Sequence, residues 1–355
     1  MKTEYVTIDE RSPDMDALHY AGQIIKEGGL VAFPTETVYG LGADALNEKA
    51  AAKIYEAKGR PSDNPLIVHI TDMADLSRIV RKVPESALVL SEELWPGPLT
   101  MIFEKKEIVP DATTGGLSTV AVRFPSNRIA QLLIMESGGF IAAPSANRSG
   151  RPSPTLAEHC REDLDGRVDM IIDGGPVGIG VESTIIDMTA KRPELLRPGF
   201  VTMEMLEQLL DGIDRDPSLD RTGMPDELSP APAPRAPGMK YRHYTPRGEM
   251  VLVDGDHEAA KEYISGRINE EKEKGKKTAV ICADEDRERF GADIVLSYGR
   301  RNDYACLARN LFTLLRTCDE KGADVIFAET VPGNGLGDAL MNRMRKTAGY
   351  RIVNV

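Results

Sequence analysis

The spacing of apolar residues predicts an alternation of helices and short strands in the first half of the chain. From Asp14 to Lys26 apolar residues recur every three or four positions, which is typical of one face of an amphipathic helix. The run LVAFP, beginning at Leu30, is short and apolar and ends in a proline, as a buried strand often does. A helix is therefore expected to lead into the first strand of a sheet.

The stretch from Val31 to Ile70 places a polar loop and a basic pair between two predicted strands. TETVYGLGAD follows the first strand, and Asn47 can cap a helix that ends at Lys58-Gly59-Arg60. The next strand, PLIVHI, carries a histidine near its end. Because α/β proteins hold ligands with loops at strand ends, this stretch is the main candidate for a binding site.

Further apolar runs predict a mixed sheet. LTMIFE and STVAVRFP flank a glycine-bearing loop, FIAA precedes the polar residues PSAN, and VDMIID, STIIDM and ELLRP follow. Several of these strands are adjacent in sequence with no helix between them. A purely parallel, doubly wound sheet would not allow this, so we expect strands in both directions.

The pattern changes after Asp211. Prolines crowd the segment up to Gly238, which predicts a linker. Beyond it, VLVDG, TAVICAD, ADIVLSYG and ADVIFAE alternate with helical segments and predict a small parallel α/β domain of Rossmann-like layout. Neither G-x-G-x-x-G after VLVDG nor a G-x-x-x-x-G-K-[ST] occurs, so nucleotide chemistry must use another kind of site. The expected division is a catalytic domain over 1–210, a linker over 211–247 and a C-terminal domain over 248–355.

Composition narrows the classes of function. The chain has 44 Lys and Arg against 56 Asp and Glu, a net charge of −12, so an anionic substrate needs a local basic pocket. No apolar run approaches the roughly 20 residues of a membrane helix, and the N-terminus shows no secretory pattern, so a cytoplasmic protein is expected. The four cysteines form no C-x-x-C pair, which argues against a zinc ribbon or a disulfide framework.

Two polar pairs are the candidate chemistry. Lys58 and Arg60 lie just past a helix end and can converge on one anion, although a solvated basic helix terminus has the same pattern. Ser145 and Asn147 follow the strand FIAA, where a hydroxyl and an amide suit phosphate or ribose, although an ordinary turn uses the same residues. From these residues alone, either pair can be a ligand-binding group or an ordinary structural feature.

Seven motifs in order carry a resemblance that covers nearly the whole chain. FPTETVYGLG, AKGRPSDNPL, WPGPLT, TVAVRFP, APSANRSGRPSPT, GVESTI and LLRPG together resemble the YrdC family, whose nucleotide-site signature matches Lys58, Arg60, Ser145 and Asn147. PGMKYRHYTP and GLGDALMNRMRKTAG resemble its two-domain members, the L-threonylcarbamoyladenylate synthases; beside PGMKYRHY, Ala236 and Thr245 replace the expected serine and alanine. The resemblance implies an N-terminal twisted mixed sheet with helices around a concave site.

The resemblance also implies a reaction. L-threonine, bicarbonate and ATP would give L-threonylcarbamoyl-AMP and pyrophosphate, the first step of tRNA threonylcarbamoyladenosine modification, and a tRNA-modifying complex would use the product. Such chemistry needs anions held close together and no covalent enzyme nucleophile. Mg²⁺ is expected to arrive with ATP, bound mainly by phosphates and water.

Residue by residue, the resemblance implies two adjoining binding sites. ATP would contact Lys58, Arg60, Asn64, Thr119, Ser145, Asn147, Ser153, Arg197, Tyr241 and Arg242, of which Lys58 and Arg60 would be catalytic. L-threonine would contact Thr35, His69, Arg123, Ala143 and Ser183, with the Arg123 fork on its carboxylate. No protein ligand for a metal is expected, and Glu36 and Glu182 are interpreted as structural hydrogen-bonding groups. A structural role for His69 explains its position equally well.

The linker has one feature that a plain connector does not need, the polar run from Lys240 to His243. We expect this segment to fold back over the nucleotide, with Tyr241 and Arg242 reaching ATP.

Two other functions stay open. An RNA-binding module of the same fold, with direct tRNA contact, is disfavoured by the net charge and the single Trp. A carbamoyl-phosphate or acyl-phosphate enzyme is disfavoured because acylphosphatase-like and zinc-finger modules are missing.

Overall fold

The computed structural model describes residues 2–220, 223, 234–237 and 244–355, which fall into two compact units. The first comprises 2–149, 153–220 and 234–237. The second comprises 150–152, 223 and 244–355. Across these described ranges no helix is both long and apolar enough to cross a membrane.

The first unit is built on one eleven-stranded sheet. Its strands are β1 (Glu4–Thr7), β2 (Val31–Phe33), β3 (Gly40–Asp44), β4 (Ile67–His69), β5 (Leu99–Glu104), β6 (Thr119–Arg123), β7 (Ile141–Ala143), β8 (Met170–Asp173), β9 (Thr184–Asp187), β10 (Glu194–Arg197) and β11 (Asp214–Arg215). They lie in the order β1-β8-β2-β3-β7-β4-β6-β5-β9-β10-β11. Pairs such as β4 with β6 are parallel, whereas β5 with β6 and β4 with β7 are antiparallel, so the prediction of a mixed sheet is confirmed.

Helices cover this sheet from both sides. They are α1 (Met15–Lys26), α2 (Glu48–Lys58), α3 (Met73–Ile79), α4 (Glu85–Leu94), α5 (Asp111–Thr114), α6 (Arg128–Glu136), α7 (Ala157–Leu164) and α8 (Met203–Leu209). Strand β2 shows why LVAFP carries no polar position: Ala32 packs into one apolar core, while Val31 and Phe33 pack into a second on the opposite face with α1 and α6. The glycine-bearing loop predicted between LTMIFE and STVAVRFP contains the single helical turn α5, with Gly115 in the left-handed region after it.

The second unit is a five-stranded sheet in which every pair is parallel, as the Rossmann-like pattern predicts. Its strands are β12 (Glu249–Asp254), β13 (Thr278–Cys282), β14 (Ile294–Ser297), β15 (Val325–Glu329) and β16 (Ile352–Asn354), and its helices are α9 (His257–Glu273), α10 (Tyr304–Glu320) and α11 (Leu336–Thr347). The strands lie in the order β14-β13-β15-β12-β16. β13 and β14 are joined through a short 3₁₀ helix, Asp284–Arg289.

Candidate active site

The C-terminus of α2 places Lys58 at the first part of the site. Asn47 caps the helix by accepting bonds from the amides of Lys49 and Ala50 at 3.1 and 3.2 Å, and Gly59 ends it with φ of +62°. The Lys58 side chain is buried, and its ammonium donates to the backbone carbonyls of Ser145 and Asn147. The first basic residue is therefore in contact with the polar segment after β7, 87 positions further along the chain.

Ser145 and Asn147 also contact each other. The Ser145 hydroxyl donates to Asn147 Oδ1 at 2.5 Å, and the Asn147 amide donates to the carbonyl of Arg148 at 2.8 Å. The segment is held beside β3, where Ser145 forms an isolated bridge with Gly40. Three of the predicted ATP-binding side chains thus form one cluster of donors and acceptors.

Arg60 lies on the turn that follows Gly59. Its Nε donates to the carbonyl of Asn64 at 3.2 Å, and its Nη2 donates to that of Pro65 at 3.0 Å. Asn64 is buried, and its Oδ1 has no hydrogen-bond partner among the residues that the structure describes. Arg60 therefore shapes the turn that presents Asn64.

Strand alternation directs several predicted residues to one face of the sheet. His69 on β4 is in register with Arg123 on β6, which is in register with Thr100 on β5. Their chain neighbours Val68 and Val122 point the other way, into the larger apolar core. The face that carries His69 and Arg123 is called the site face below.

Arg123 is a buried cation on the site face. It is 4% exposed, and its Nη1 donates to Thr37 Oγ1 at 2.9 Å, which in turn lies 3.0 Å from Thr35 Oγ1. Its Nη2 forms an ion pair with Glu36 Oε1 at 2.7 Å. Outside this ion pair, Arg123 Nε and Glu36 Oε2 are buried without a hydrogen-bond partner within the described ranges. A guanidinium edge and a carboxylate are thus buried side by side with unused hydrogen-bonding capacity, which is costly unless a ligand completes them.

The two glutamates that the sequence suggests are structural have different contacts. Glu36 Oε1 forms the ion pair with Arg123, and Glu182 Oε1 accepts a 2.5 Å bond from Ser153. The interpretation of both as structural hydrogen-bonding groups stays a prediction.

His69 is uncharged at neutral pH. Its side chain is buried against the edge of Phe33, and Nδ1 lies 3.1 Å from the carbonyl of Ile67. Burial, with a smaller contribution from the charge of Arg123, lowers the pKa of His69 to about 3. The histidine therefore adds a polar but neutral surface beside Arg123.

Ser183, a predicted threonine ligand, forms hydrogen bonds with Arg197, a predicted ATP ligand. Its hydroxyl lies 2.8 Å from Thr100 Oγ1 and accepts a 3.1 Å bond from Arg197 Nη2, while Arg197 Nε donates to its carbonyl at 3.0 Å. Arg197 Nη1 reaches the carbonyl of Pro237 at 3.2 Å. A predicted threonine ligand and a predicted ATP ligand are therefore bonded directly.

Some predicted residues lie apart or outside the described ranges. Thr119 begins β6, at the opposite end of that strand from Arg123, and Ala143 ends β7 in register with Ile67. Tyr241 and Arg242 lie outside the described residues, as do the flanking Lys240 and His243.

Sequence reasoning missed the residues that hold 234–237 on this unit. Arg235 Nη1 pairs with Asp187 and Glu194 at 3.2 and 2.7 Å, and its Nη2 pairs with Asp216 at 2.6 Å. Ala236 is fully buried on the site face in a small apolar cluster whose other members are Ile67, Ile102, Ala121, Ile185 and Leu196. Arg235 lies in a proline-rich stretch. Nothing in that stretch of sequence indicates that its side chain pairs with three carboxylates from distant parts of the chain.

Two family models divide the chain between them. One, described as telomere recombination, covers the Sua5, YciO and YrdC proteins and matches residues 23–199. The other, described as the C-terminal domain of threonylcarbamoyl-AMP synthase, matches residues 201–349.

Full-length relatives agree with these models. The chain is 48% identical to threonylcarbamoyl-AMP synthase of Pyrococcus abyssi, over 95% of this chain and 96% of that protein. It is 45% identical to the Bacillus subtilis enzyme of the same name, over 97% and 96%. The crystal structure of P. abyssi Sua5 complexed with L-threonine superposes with a TM-score of 0.92 at 47% identity, covering 99% of this chain and all of that one. The resemblance seen in the sequence is confirmed, and the chain belongs to the threonylcarbamoyl-AMP synthase family.

Proposed function

We propose that this protein makes L-threonylcarbamoyl-AMP and pyrophosphate from L-threonine, bicarbonate and ATP, for the threonylcarbamoyladenosine modification of tRNA. Family membership over nearly the whole chain supports the activity. The observation that carries the substrate assignment is the buried, incompletely bonded edge of Arg123 next to Glu36. A zwitterionic amino acid carries one group of each sign, as this pair does.

The threonine carboxylate binds Arg123 through Nε, which the ion pair with Glu36 leaves without a partner in the described part of the chain. The 2.9 Å bond from Nη1 to Thr37 Oγ1 fixes the plane of the guanidinium. Neutral His69 and the hydroxyls of Thr35 and Ser183 are the polar groups that meet the rest of the amino acid.

Glu36 takes the threonine ammonium and then one of its protons. An ammonium cannot attack a carbon centre, so carbamate formation needs a base that accepts that proton. The resulting amine attacks the carbon of bicarbonate, and water leaves to give the carbamate. Glu36 is placed for this step because its Oε2 is buried and has no hydrogen-bond partner in the described part of the chain, while Oε1 is held by Arg123.

The nucleotide lies against Lys58, Arg60, Ser145 and Asn147. The carbamate oxygen attacks the α-phosphorus of ATP, the bond to the bridging oxygen breaks, and pyrophosphate leaves. Buried Lys58 sits where it can offset the charge that develops on the phosphates, while Ser145 and Asn147 donate to phosphate or ribose oxygens. The direct bond between Arg197 and Ser183 keeps the two substrates in adjoining positions.

Magnesium enters this proposal only with ATP. Phosphate oxygens and water are the ligands of a magnesium ion that arrives with ATP, and no step above depends on it. We further propose a cytoplasmic protein that passes its product to a tRNA-modifying complex.

The test is product formation from ¹³C-labelled bicarbonate. With ATP and L-threonine, the adenylate should carry the label and appear in equal amount to pyrophosphate, as mass spectrometry can measure. Lys58→Ala and Arg60→Ala should each lower turnover by roughly a hundredfold or more. Unlabelled product, or unchanged turnover in both variants, would contradict the proposal.

A further inference from the structure

A three-residue segment, 150–152, packs with the second unit although it lies inside the sequence of the first. By their contacts these residues belong to the second unit, while 2–149 and 153–220 belong to the first. The activity proposed above gives the segment no role. It nevertheless connects two predicted ATP ligands, because Asn147 shortly precedes it and Ser153 directly follows it.

The second unit holds the carbonyl groups at both ends of this segment. The amide of Thr245 donates to the carbonyl of Gly150 at 2.9 Å, and Arg316 Nη2 donates to the carbonyl of Pro152 at 2.6 Å. Arg316 lies on α10 and is fully buried. Because a charged donor forms a stronger hydrogen bond than a neutral one, the contact with Arg316 holds Pro152 more firmly than a backbone amide would.

The residue between these two carbonyls interacts with the second unit through its charge. Asp319, also on α10, accepts a 2.6 Å bond from the amide of Arg247. Burial raises the pKa of the Asp319 carboxyl, and the charges of Arg151, Arg247 and Arg316 act in the opposite direction. The Arg151 guanidinium therefore lies close enough to Asp319 to attract it. Each residue of the segment thus interacts with a group of the second unit.

The residues on either side of the segment are bonded to the candidate active site. The amide of Ser149 donates to the carbonyl of Lys58 at 2.9 Å. The hydroxyl of Ser153 donates to Glu182 Oε1 at 2.5 Å. The segment therefore leaves and re-enters the first unit beside the predicted ATP ligands Lys58, Asn147 and Ser153.

The segment has little freedom to absorb a movement of its ends. Three residues span at most about 10 Å even when the chain is fully extended. The ring of Pro152 fixes its φ, and Arg151, as the residue before a proline, is restricted to extended conformations. A displacement of the Pro152 carbonyl is therefore passed on to Ser153 and, through Gly150, to Ser149.

We propose that Arg316 is a positioning residue for ATP. By holding the Pro152 carbonyl it fixes the path of 150–152, and with it the placement of Asn147 and Ser153 against the nucleotide. Threonine affinity does not depend on this contact, because Arg123, which takes the threonine carboxylate, lies on β6 and is held by Thr37 and Glu36. The inference rests on the proposed function in taking Asn147 and Ser153 as ATP ligands.

Calorimetric titration of the full-length protein with a non-hydrolysable ATP analogue tests the proposal. Arg316→Met removes the donor to Pro152 and keeps an unbranched side chain in the buried position. We expect the affinity for the analogue to fall about fivefold or more. The affinity for L-threonine, titrated separately, should stay that of the parent.

Arg309→Met is the matched control. It makes the same substitution at an exposed position of the same helix, so both affinities should equal those of the parent. Where Arg316→Met fails to fold, Arg151→Gln decides the matter, since it removes the charge that faces Asp319 from a side chain that is only partly buried. Arg151→Gln should weaken binding of the analogue about threefold and leave threonine affinity unchanged.

Two results would overturn the proposal. One is parent-like affinity for the analogue in folded Arg316→Met or, where that variant does not fold, in Arg151→Gln. The other is an equal loss of affinity for the analogue and for threonine, which would mean a general loss of structure. Both results concern binding and not turnover. A parent protein that binds the analogue but releases no pyrophosphate with threonine would contradict the proposed function alone.

Discussion

Single residues on the site face explain how an amino acid could be bound and activated. Arg123 and Glu36 form a buried ion pair whose hydrogen-bonding capacity is only partly used, a costly state that a zwitterion bound to both residues relieves. Arg123 would then orient the substrate while Glu36 would change its protonation state. The two roles are separable by mutation.

Replacing Glu36 with Gln tests the second role. The amide keeps the size and hydrogen-bonding reach of the side chain but cannot take a proton at neutral pH. We expect kcat to fall about a hundredfold with KM for ATP unchanged, and the loss to shrink as pH rises and more threonine is present as free amine. A pH profile of threonine-dependent pyrophosphate release measures this, with Glu48→Gln on the first turn of α2 as control. A uniform loss at all pH values would leave Glu36 only a structural role.

His69 gives a prediction about stability. The unfolded chain binds a proton near pH 6.5, whereas the folded chain resists it until about pH 3. Unfolding therefore takes up a proton in this window, so stability is full above pH 6.5 and falls as pH drops, by about 1.4 kcal/mol per pH unit for this group. In urea denaturation, His69→Gln should lack this part of the acid sensitivity. A variant with the same pH dependence as the parent would contradict the assignment.

At the scale of elements, the sequence predicted which helices and strands carry the site residues better than it predicted the contacts between those residues. The Asn47 cap, Gly59 and the apolar face of α2 are local signals, so the position of Lys58 at a helix end follows from them. That its ammonium reaches carbonyls 87 and 89 positions away depends on β3 and β7 pairing, which no local pattern encodes.

The short segment 234–237 contacts a residue of the predicted ATP site and is itself held by ion pairs. Arg235 pairs with three carboxylates, and two of these, on Asp187 and Asp216, are nearly buried. Its position next to Ala236 and Pro237 fixes the carbonyl that Arg197 contacts. We therefore expect this segment to set the geometry of Arg197.

In Arg235→Ala, the Pro237 carbonyl should no longer be held in the position where Arg197 contacts it. Leaving nearly buried carboxylates without their partner should cost about 1 to 2 kcal/mol of stability, and KM for ATP should rise severalfold. Arg192→Ala is the matched control, since its pair with Asp214 is exposed on both sides and should be worth less than about 0.5 kcal/mol. Thermal unfolding and steady-state kinetics on both variants measure the difference. Equal effects in the two would remove the special role of Arg235.

For the whole molecule, the match in sequence and structure extends over both units, and this decides among the functions that composition left open. The C-terminal family model and relatives of nearly equal length support a synthase. A net charge of −12 does not favour an RNA-binding module acting alone. Steep salt dependence of tRNA binding without any turnover of ATP would be the signature of that alternative.

The most direct test of the account is whether pyrophosphate release depends on L-threonine. The purified full-length protein is given ATP, Mg²⁺ and bicarbonate, and pyrophosphate is followed with and without L-threonine, with L-serine and L-valine as controls that each lack one feature of the side chain. The account predicts release that requires L-threonine and is lost in Lys58→Ala. Release at the same rate without any amino acid would contradict it.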